Sequence, residues 1–139
     1  MRISSGMVRL IQAEPHLLAD TLHTNLEDYL KKIDANAEII VHDAPGQCAG
    51  LTFFYCNDMV AKRCFVSMLI VSPAYRRQGI ARSMLGYVMS IAVARGFKTC
   101  ELEVKQCNRA AIDLYDGLGF VAVQQRDTKI LMQKELMKC

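Results

Sequence analysis

Hydrophobic positions change period several times along the chain, and each change marks an element. Phe65-Val66-Ser67-Met68-Leu69-Ile70-Val71 is an almost unbroken apolar run, the pattern of a central strand. It belongs to a strand over 63–71, and Ser72-Pro73 ends it. Ala81, Met84, Leu85, Val88 and Ile91 or Ala92 then recur at helical spacing. Gly96 stops that helix, because glycine tolerates the left-handed cap conformation. Residues 99–104 read as another strand. Asn108 caps a helix that carries Ala111, Leu114, Tyr115 and Leu118 on adjoining turns, and Gly119 ends it. Residues 120–125 and 130–134 read as a closing pair of strands.

The first half is patterned less sharply. Residues 7–11 read as a short first strand. Pro15 suits the first position of a helix over 16–23, where its missing N–H costs nothing. Thr24 or Asn25 can cap a second helix over 26–33. Residues 38–42 form a strand, Asp43-Ala44-Pro45-Gly46 a turn by composition, and 47–55 the returning arm of a hairpin. Asn57 and Asp58 mark another loop. Helices, a meander of strands, then a β-α-β-α-β-β run predict an α/β (α+β) architecture: a mixed sheet with helices on its faces.

Composition narrows this picture only a little. The 139 residues fit one domain, 1–139, and no repeat, low-complexity tract or linker divides them. Hydrophobic residues make up 52% and charged residues 22%, enough for a core and against disorder. A net charge of +3, with no long basic run, argues against nucleic acid as partner. No apolar run approaches the roughly 18 residues that cross a membrane, and the N-terminus lacks a long apolar signal core. A cytoplasmic location is therefore expected. The six cysteines form no Cys-x-x-Cys pair and no zinc-ligand spacing with histidine. They read as reduced thiols acting as small hydrophobes, and no metal site is expected. His16, His23 and His42 pair with no nucleophile in the sequence pattern, and the eight methionines read as core filler.

The chemistry gathers where the apolar strand passes into the helix. Arg76-Arg77-Gln78-Gly79-Ile80-Ala81-Arg82 holds the densest basic cluster in the chain, around one glycine. A helix N-terminus offers free N–H groups and a partial positive charge. Gly79 lets an anion approach the backbone, Ala81 keeps the first turn small, and the three arginines add charge. Such a loop suits a phosphate or pyrophosphate; a tight turn with solvated arginines is the plainer alternative. A P-loop is excluded, because no Gly-Lys-Ser/Thr occurs, and so is a Gly-x-Gly-x-x-Gly dinucleotide loop.

Arg76-x-x-Gly79-x-Ala81 after an apolar strand resembles the cofactor signature of the GNAT N-acetyltransferase superfamily. Asn108-Arg109-Ala110-Ala111-Ile112-Asp113-Leu114-Tyr115-Asp116-Gly117-Leu118-Gly119-Phe120 resembles that superfamily's Asn-x-x-Ala-x-x-Leu-Tyr-x-x-Leu-Gly-Phe motif. The resemblance covers residues 63–123. It implies the GNAT acyl-CoA N-acyltransferase fold, a sheet of six to seven strands flanked by about four helices. It also implies acetyl-coenzyme A as cosubstrate, with no metal. Leu69, Ile70 and Val71 would then offer backbone groups to the pantetheine arm and acyl carbonyl. The amides of Arg77, Gln78, Gly79, Ile80, Ala81 and Arg82, beside Arg76, would hold the pyrophosphate. The strand of Leu102 would splay from that of Leu69, and Asn108 would lie near the pantetheine.

Tyr115 is the expected catalytic acid, since a phenol is protonated at neutral pH and can donate to a leaving thiolate. The alternative is a packed tyrosine on an amphipathic helix. Glu101 and Glu103 alternate with Cys100, Leu102 and Val104, so they share one face of a strand. Leu102-Glu103-Val104 resembles the pattern of bacterial ribosomal-protein N-terminal acetyltransferases, which makes Glu103 the expected base. The alternatives are Glu101, a water chain, or a merely solvated carboxylate. Those enzymes carry an aromatic, arginine-bearing segment between their last two strands, whereas here only Gln125-Arg126-Asp127-Thr128-Lys129 connects them. Cys107 falls beside Asn108, but direct transfer needs no acyl-enzyme.

The expectation is thus direct acetyl transfer to a primary amine in a ternary complex, the acceptor being a small molecule or a protein or peptide N-terminus. A non-catalytic acyl-CoA-binding sensor is the alternative, and an interaction domain with a vestigial loop a third. Monomer and homodimer are both open, with no nucleic acid and no membrane as partner.

Overall fold

A computed structural model describes residues 2–13 and 26–136. Its elements run α1 (Ser5–Gln12), α2 (Leu26–Asn36), β1 (Glu38–Ala44), β2 (Gln47–Asp58), β3 (Arg63–Val71), a short 3-10 turn (Pro73–Tyr75), α3 (Ile80–Ala94), β4 (Thr99–Lys105), α4 (Arg109–Gly117), β5 (Val121–Arg126) and β6 (Lys129–Glu135). The strands form a six-stranded sheet in the order β1-β2-β3-β4-β6-β5. It is mixed: β3 and β4 are parallel, while β6 runs antiparallel to both β4 and β5. The helix expected over 16–23 and the caps at Thr24 and Asn25 lie outside the described residues.

Residues 7–11 are helical rather than extended, which corrects the sequence expectation. Ser4 caps α1 by accepting from the Met7 amide at 3.3 Å. Met7, Leu10 and Ile11 then fall on one buried face, the i, i+3, i+4 spacing of a helix. A short apolar run reads equally well at either period, and here the cap decides between them. Arg2 pins this N-terminal segment: its guanidinium donates to the carbonyls of Ile33, Asp34 and Ala37 at the end of α2. A cation at a helix C-terminus satisfies orphan carbonyls and opposes the dipole.

Contacts divide the chain into two compact units, Met1–Phe53 with Met68–Met84 and Phe54–Ser67 with Leu85–Cys139. In the first, Ala49, Ile80 and Met84 form a buried cluster, with Leu69, Val71 and Tyr75 packed against it. Gly50 makes this packing possible. A Cβ there would meet Ile80 Cγ2 at 2.9 Å and the Met84 methyl at 3.1 Å. In the second unit, Phe97, Phe120, Leu102 and Val88 are fully or almost fully buried. The β3–β4 ladder runs from Arg63↔Thr99 to Val66↔Leu102, whereas β4 pairs with β6 from Thr99 to Lys105.

Candidate active site

The loop after β3 is shaped by backbone geometry. The Ser72 amide donates to the Ala49 carbonyl at 2.8 Å, which turns the chain off the strand, and Pro73–Tyr75 makes one 3-10 turn. Arg77 and Gly79 both adopt positive φ, at 65° and 78°. For glycine this costs little, but an arginine in that region stores about 1 kcal/mol of strain. The Gly79 carbonyl accepts from Ser83 at 3.0 Å and so begins α3. The first-turn N–H groups of α3 have no intrahelical acceptor, and no acidic side chain stands in that turn to take them.

The residues present fit a pyrophosphate here. A Cβ built on Gly79 meets nothing within 4 Å, so the approach to these amides is open. Arg76, Arg77, Gln78, Gly79 and Arg82 are exposed, while Ile80 is buried and anchors the helix. Arg76 makes a contact not expected from sequence: its Nε donates to the Val71 carbonyl at 3.1 Å and ties the loop to the end of β3. Tyr75 receives a hydrogen bond from Gln47 at 3.1 Å.

Tyr115 lies in α4, whose start and finish explain most of the surrounding motif. Asn108 caps the helix by accepting from the Ala111 amide at 3.1 Å through its side-chain oxygen, and its NH₂ group takes no part in that bond. At the far end Gly119 has φ 96°. The Phe120 amide donates to the Tyr115 carbonyl and the Gly119 amide to the Asp116 carbonyl, both at 3.0 Å. These two bonds define a Schellman close, which brings a hydrophobic contact between the third-last helical residue and the second residue beyond the helix. Tyr115 and Phe120 make that contact, edge to face, with centroids 6.0 Å apart. Lys134 of β6 donates to the Leu118 carbonyl and fastens the same terminus.

Tyr115 is thereby held with 8% of its surface exposed. Burial pushes its phenol up from 10.0 to about 12. Its hydroxyl takes no hydrogen-bond partner among the described residues. The side chain is therefore packed, and its phenol stays protonated at neutral pH.

Glu101 and Glu103 share a strand face as expected, but they differ in engagement. Glu101 is buried, accepts from Gln133 at 2.7 Å and faces Arg63 at 3.9 Å. Glu103 is exposed and makes no ion pair or hydrogen bond among the described residues. Cys48, Cys56, Cys64 and Cys100 are buried free thiols, and burial first of all raises Cys56 to about 11. Cys107 is free too but exposed, unlike the buried hydrophobe expected of a cysteine. His42 is exposed on β1. Among the described residues no three His, Cys, Asp or Glu side chains group as metal ligands.

Three residues that matter to this geometry were not singled out in the sequence. Gly50 carries a readable signal, a glycine inside an apolar strand, which marks close backbone approach. Lys134 and Gln106, which donates to Asp127, act through the fold and leave no local signature.

Comparison with known proteins agrees with the geometry. The acetyltransferase (GNAT) family model matches residues 7–120, and the chain belongs to that family. It is 37% identical over 67 residues to the ribosomal protein bS18-alanine N-acetyltransferase of Escherichia coli K12, covering 48% of this chain and 45% of that enzyme. It is 32% identical over 90 residues to the thialysine N-epsilon-acetyltransferase of Bos taurus, covering 60% and 52%. The chain thus spans about half the length of the curated relatives it matches. Among solved structures, the Escherichia coli ribosomal-protein-S18-alanine N-acetyltransferase superposes with TM-score 0.70 at 23% identity, over 84% of this chain and 79% of that one. The PaiA N-acetyltransferase of Thermoplasma acidophilum, in complex with coenzyme A, gives 0.67 at 18%, over 79% and 68%. The fold is that of the GNAT acetyltransferases, and no described helix is long and apolar enough to cross a membrane.

Proposed function

We propose that the chain, as one domain over 1–139, is an N-acetyltransferase that moves an acetyl group from acetyl-coenzyme A to a primary amine by direct attack. The amides of Arg77, Gln78, Gly79, Ile80, Ala81 and Arg82 hold the pyrophosphate, with Arg76 bracing the loop against Val71. Backbone groups of Leu69, Ile70 and Val71 orient the pantetheine arm, and the Asn108 NH₂ group donates to it. Glu103 takes a proton from the acceptor ammonium, directly or through water. The amine nitrogen bonds to the thioester carbon, the C–S bond breaks, the departing thiolate takes the Tyr115 hydroxyl proton, and the nitrogen loses its second proton to water as the amide forms. Solvent restores both groups.

Tyr115 carries the choice of transfer over mere cofactor binding. The burial that lifts its phenol to about 12 keeps it protonated, though it also weakens it as an acid. The same desolvation would raise the proton affinity of a thiolate brought beside it, so donation stays favourable. Glu103 is the better base because Glu101 is already engaged by Gln133 and Arg63. Free thiols at five described cysteines suit the reducing cytoplasm. The bS18 and thialysine names of the relatives suggest N-terminal and side-chain amines as the first acceptors to try.

Release of free thiol from acetyl-coenzyme A, measured across a panel of peptides, amino acids, polyamines and amino sugars, tests the reading. Amine-dependent release with a matching mass gain of one acetyl group is expected. Tight cofactor binding with no release from any amine would instead identify an acyl-CoA sensor.

A further inference from the structure

One face of the β4-β6-β5 sheet carries a charge pattern outside the loop proposed for the pyrophosphate. Directly opposed residues in antiparallel ladders point to the same face. The registers pair Glu103 with Leu131 and Leu131 with Gln124. Two residues further along β4 they pair Lys105 with Lys129 and Lys129 with Arg126. Three cations therefore stand in one row across three adjacent strands, on the same face as Glu103. Their strands are about 5 Å apart, and the row lies about 7 Å along β4 from the carboxylate-bearing residue.

Like charges directly opposite one another weaken a sheet, so the Lys129–Arg126 pair is a standing cost unless an anion offsets it. Among the described residues no carboxylate forms an ion pair with Lys129 or Arg126, and Asp127 in the turn between them pairs with neither. Arg126 is instead held by a bond to Gln124 at 3.0 Å. The row is also fixed in place. The Gln106 amide donates to the Thr128 carbonyl at 2.8 Å and its side chain to the Asp127 carbonyl at 3.2 Å, so the hairpin end is fastened to the loop leading into α4. Arg126 is exposed, and Lys105 and Lys129 are half-buried. Arginine and lysine on a fixed frame suit a carboxylate or phosphate.

We propose that the row Lys105, Lys129 and Arg126 selects the acceptor: an amine that carries a carboxylate or phosphate roughly 7 Å from its nitrogen. This rests on the transfer reading with Glu103 as base. The amine would sit at Glu103 while its anionic group meets the row. A free amino acid with a terminal amine and a peptide with an acidic second residue both present this chemistry.

Matched acceptors test it. With the full chain and saturating acetyl-coenzyme A, 5-aminopentanoate is compared with 5-aminopentanol, and Ala-Asp-Ala with Ala-Gln-Ala and Ala-Lys-Ala. In at least one series the anionic member should show about fivefold to tenfold higher kcat/KM at low salt, fading as salt screens the row. The double variant Arg126→Gln, Lys129→Gln should erase that preference through KM for the anionic acceptor, leaving kcat and the KM for acetyl-coenzyme A in place. Equal or better turnover of the neutral and cationic members in both series overturns the proposal while leaving acetyl transfer standing. A rise in the acetyl-coenzyme A KM of the double variant, with acceptor KM constant, also overturns it and assigns the row to the cofactor's phosphates. Amide shifts at 126 and 129 on titration with 5-aminopentanoate but not 5-aminopentanol, without any turnover, would keep the anion site and retire the transfer reading.

Discussion

Gly79 and Gly119 look alike by torsion and differ in everything around them. Both adopt positive φ, 78° and 96°, and both stand at the end of a helix. Around Gly79 nothing lies within 4 Å of where a Cβ would be; at Gly119 the same atom would meet Lys134 Nζ at 3.3 Å and Cε at 3.4 Å. The first glycine opens α3 beside amides that lack acceptors. The second closes α4 on amides and carbonyls already paired, with Phe120 tucked against Tyr115. An open glycine at a helix start leaves room for a ligand, whereas a filled one at a helix end spends its freedom on packing. On this reading one region binds and the other positions the proton donor.

The division of labour is tested most strongly at Tyr115. Tyr115→Phe keeps the ring, and so the Phe120 contact, and removes only the hydroxyl. Its kcat should fall by about 10²–10⁴, with the acetyl-coenzyme A KM changed by less than about threefold. Steady-state kinetics on any acceptor found by the panel decides this. A fall in cofactor affinity equal to the fall in kcat would erase the distinction between the two regions.

The same hydroxyl makes the closed region sensitive to alkali. A phenol raised from 10.0 to about 12 by burial favours the folded state while it is protonated. That contribution is complete below pH 10 and is lost as pH rises from 10 through 12, amounting to about 2–3 kcal/mol. Thermal melts at pH 9, 10, 11 and 12 should therefore show the wild type losing stability faster than Tyr115→Phe. Comparison with the variant isolates Tyr115 from Tyr55, whose phenol burial also raises. Parallel curves would mean that the ring's hydroxyl is solvated after all.

The two glycines can be set directly against each other. Gly119→Ala combines a positive φ with crowding by Lys134, and should cost about 1–3 kcal/mol, lowering Tm by about 4–10 °C. Gly79→Ala meets no neighbour, so its stability loss should be the smaller. Its new methyl group would narrow the open approach to the loop, and the acetyl-coenzyme A Kd should rise about tenfold or more, equivalent to about 1.4 kcal/mol. Calorimetry on both variants, for melting and for cofactor binding, would reveal whether the effects separate or travel together.

The contrast also sorts what could be read from sequence. Gly119 was legible as a helix end, where apolar period and glycine coincide, and Gly79 as an open point of backbone approach in the loop before a helix. Tyr115 and Phe120 were legible as a motif, but their physical link, the Schellman close, appears only with the backbone bonds drawn. The segment 7–11 was misread as a strand because five apolar-rich residues fit either period and the Ser4 cap was not weighed. Glu101 and Glu103 were correctly placed on one face. That Gln133 and Arg63 would engage only the first depended on the register of β4 with β6 and β3, which no local pattern encodes. Lys134, reaching the end of α4 from β6, was illegible for the same reason.

Arg77 offers the smallest and most discriminating change. It is the loop's one non-glycine residue at positive φ, 65°, and it is exposed. Nothing in its packing calls for arginine, so the strain of about 1 kcal/mol is unrewarded in the protein alone. Arg77→Gly removes both strain and charge, although glycine also adds freedom to the unfolded chain and returns part of the gain. The expected net is a change in Tm of no more than about 2 °C, together with an acetyl-coenzyme A Kd that rises about threefold to tenfold and depends less on salt than in the wild type. Arg77→Lys should hold the charge and the salt dependence while keeping the strain. If Arg77→Gly bound cofactor as well as the wild type at low salt, the guanidinium would have no part in the cradle. The open region would then bind through its backbone alone, as the empty space at Gly79 already permits.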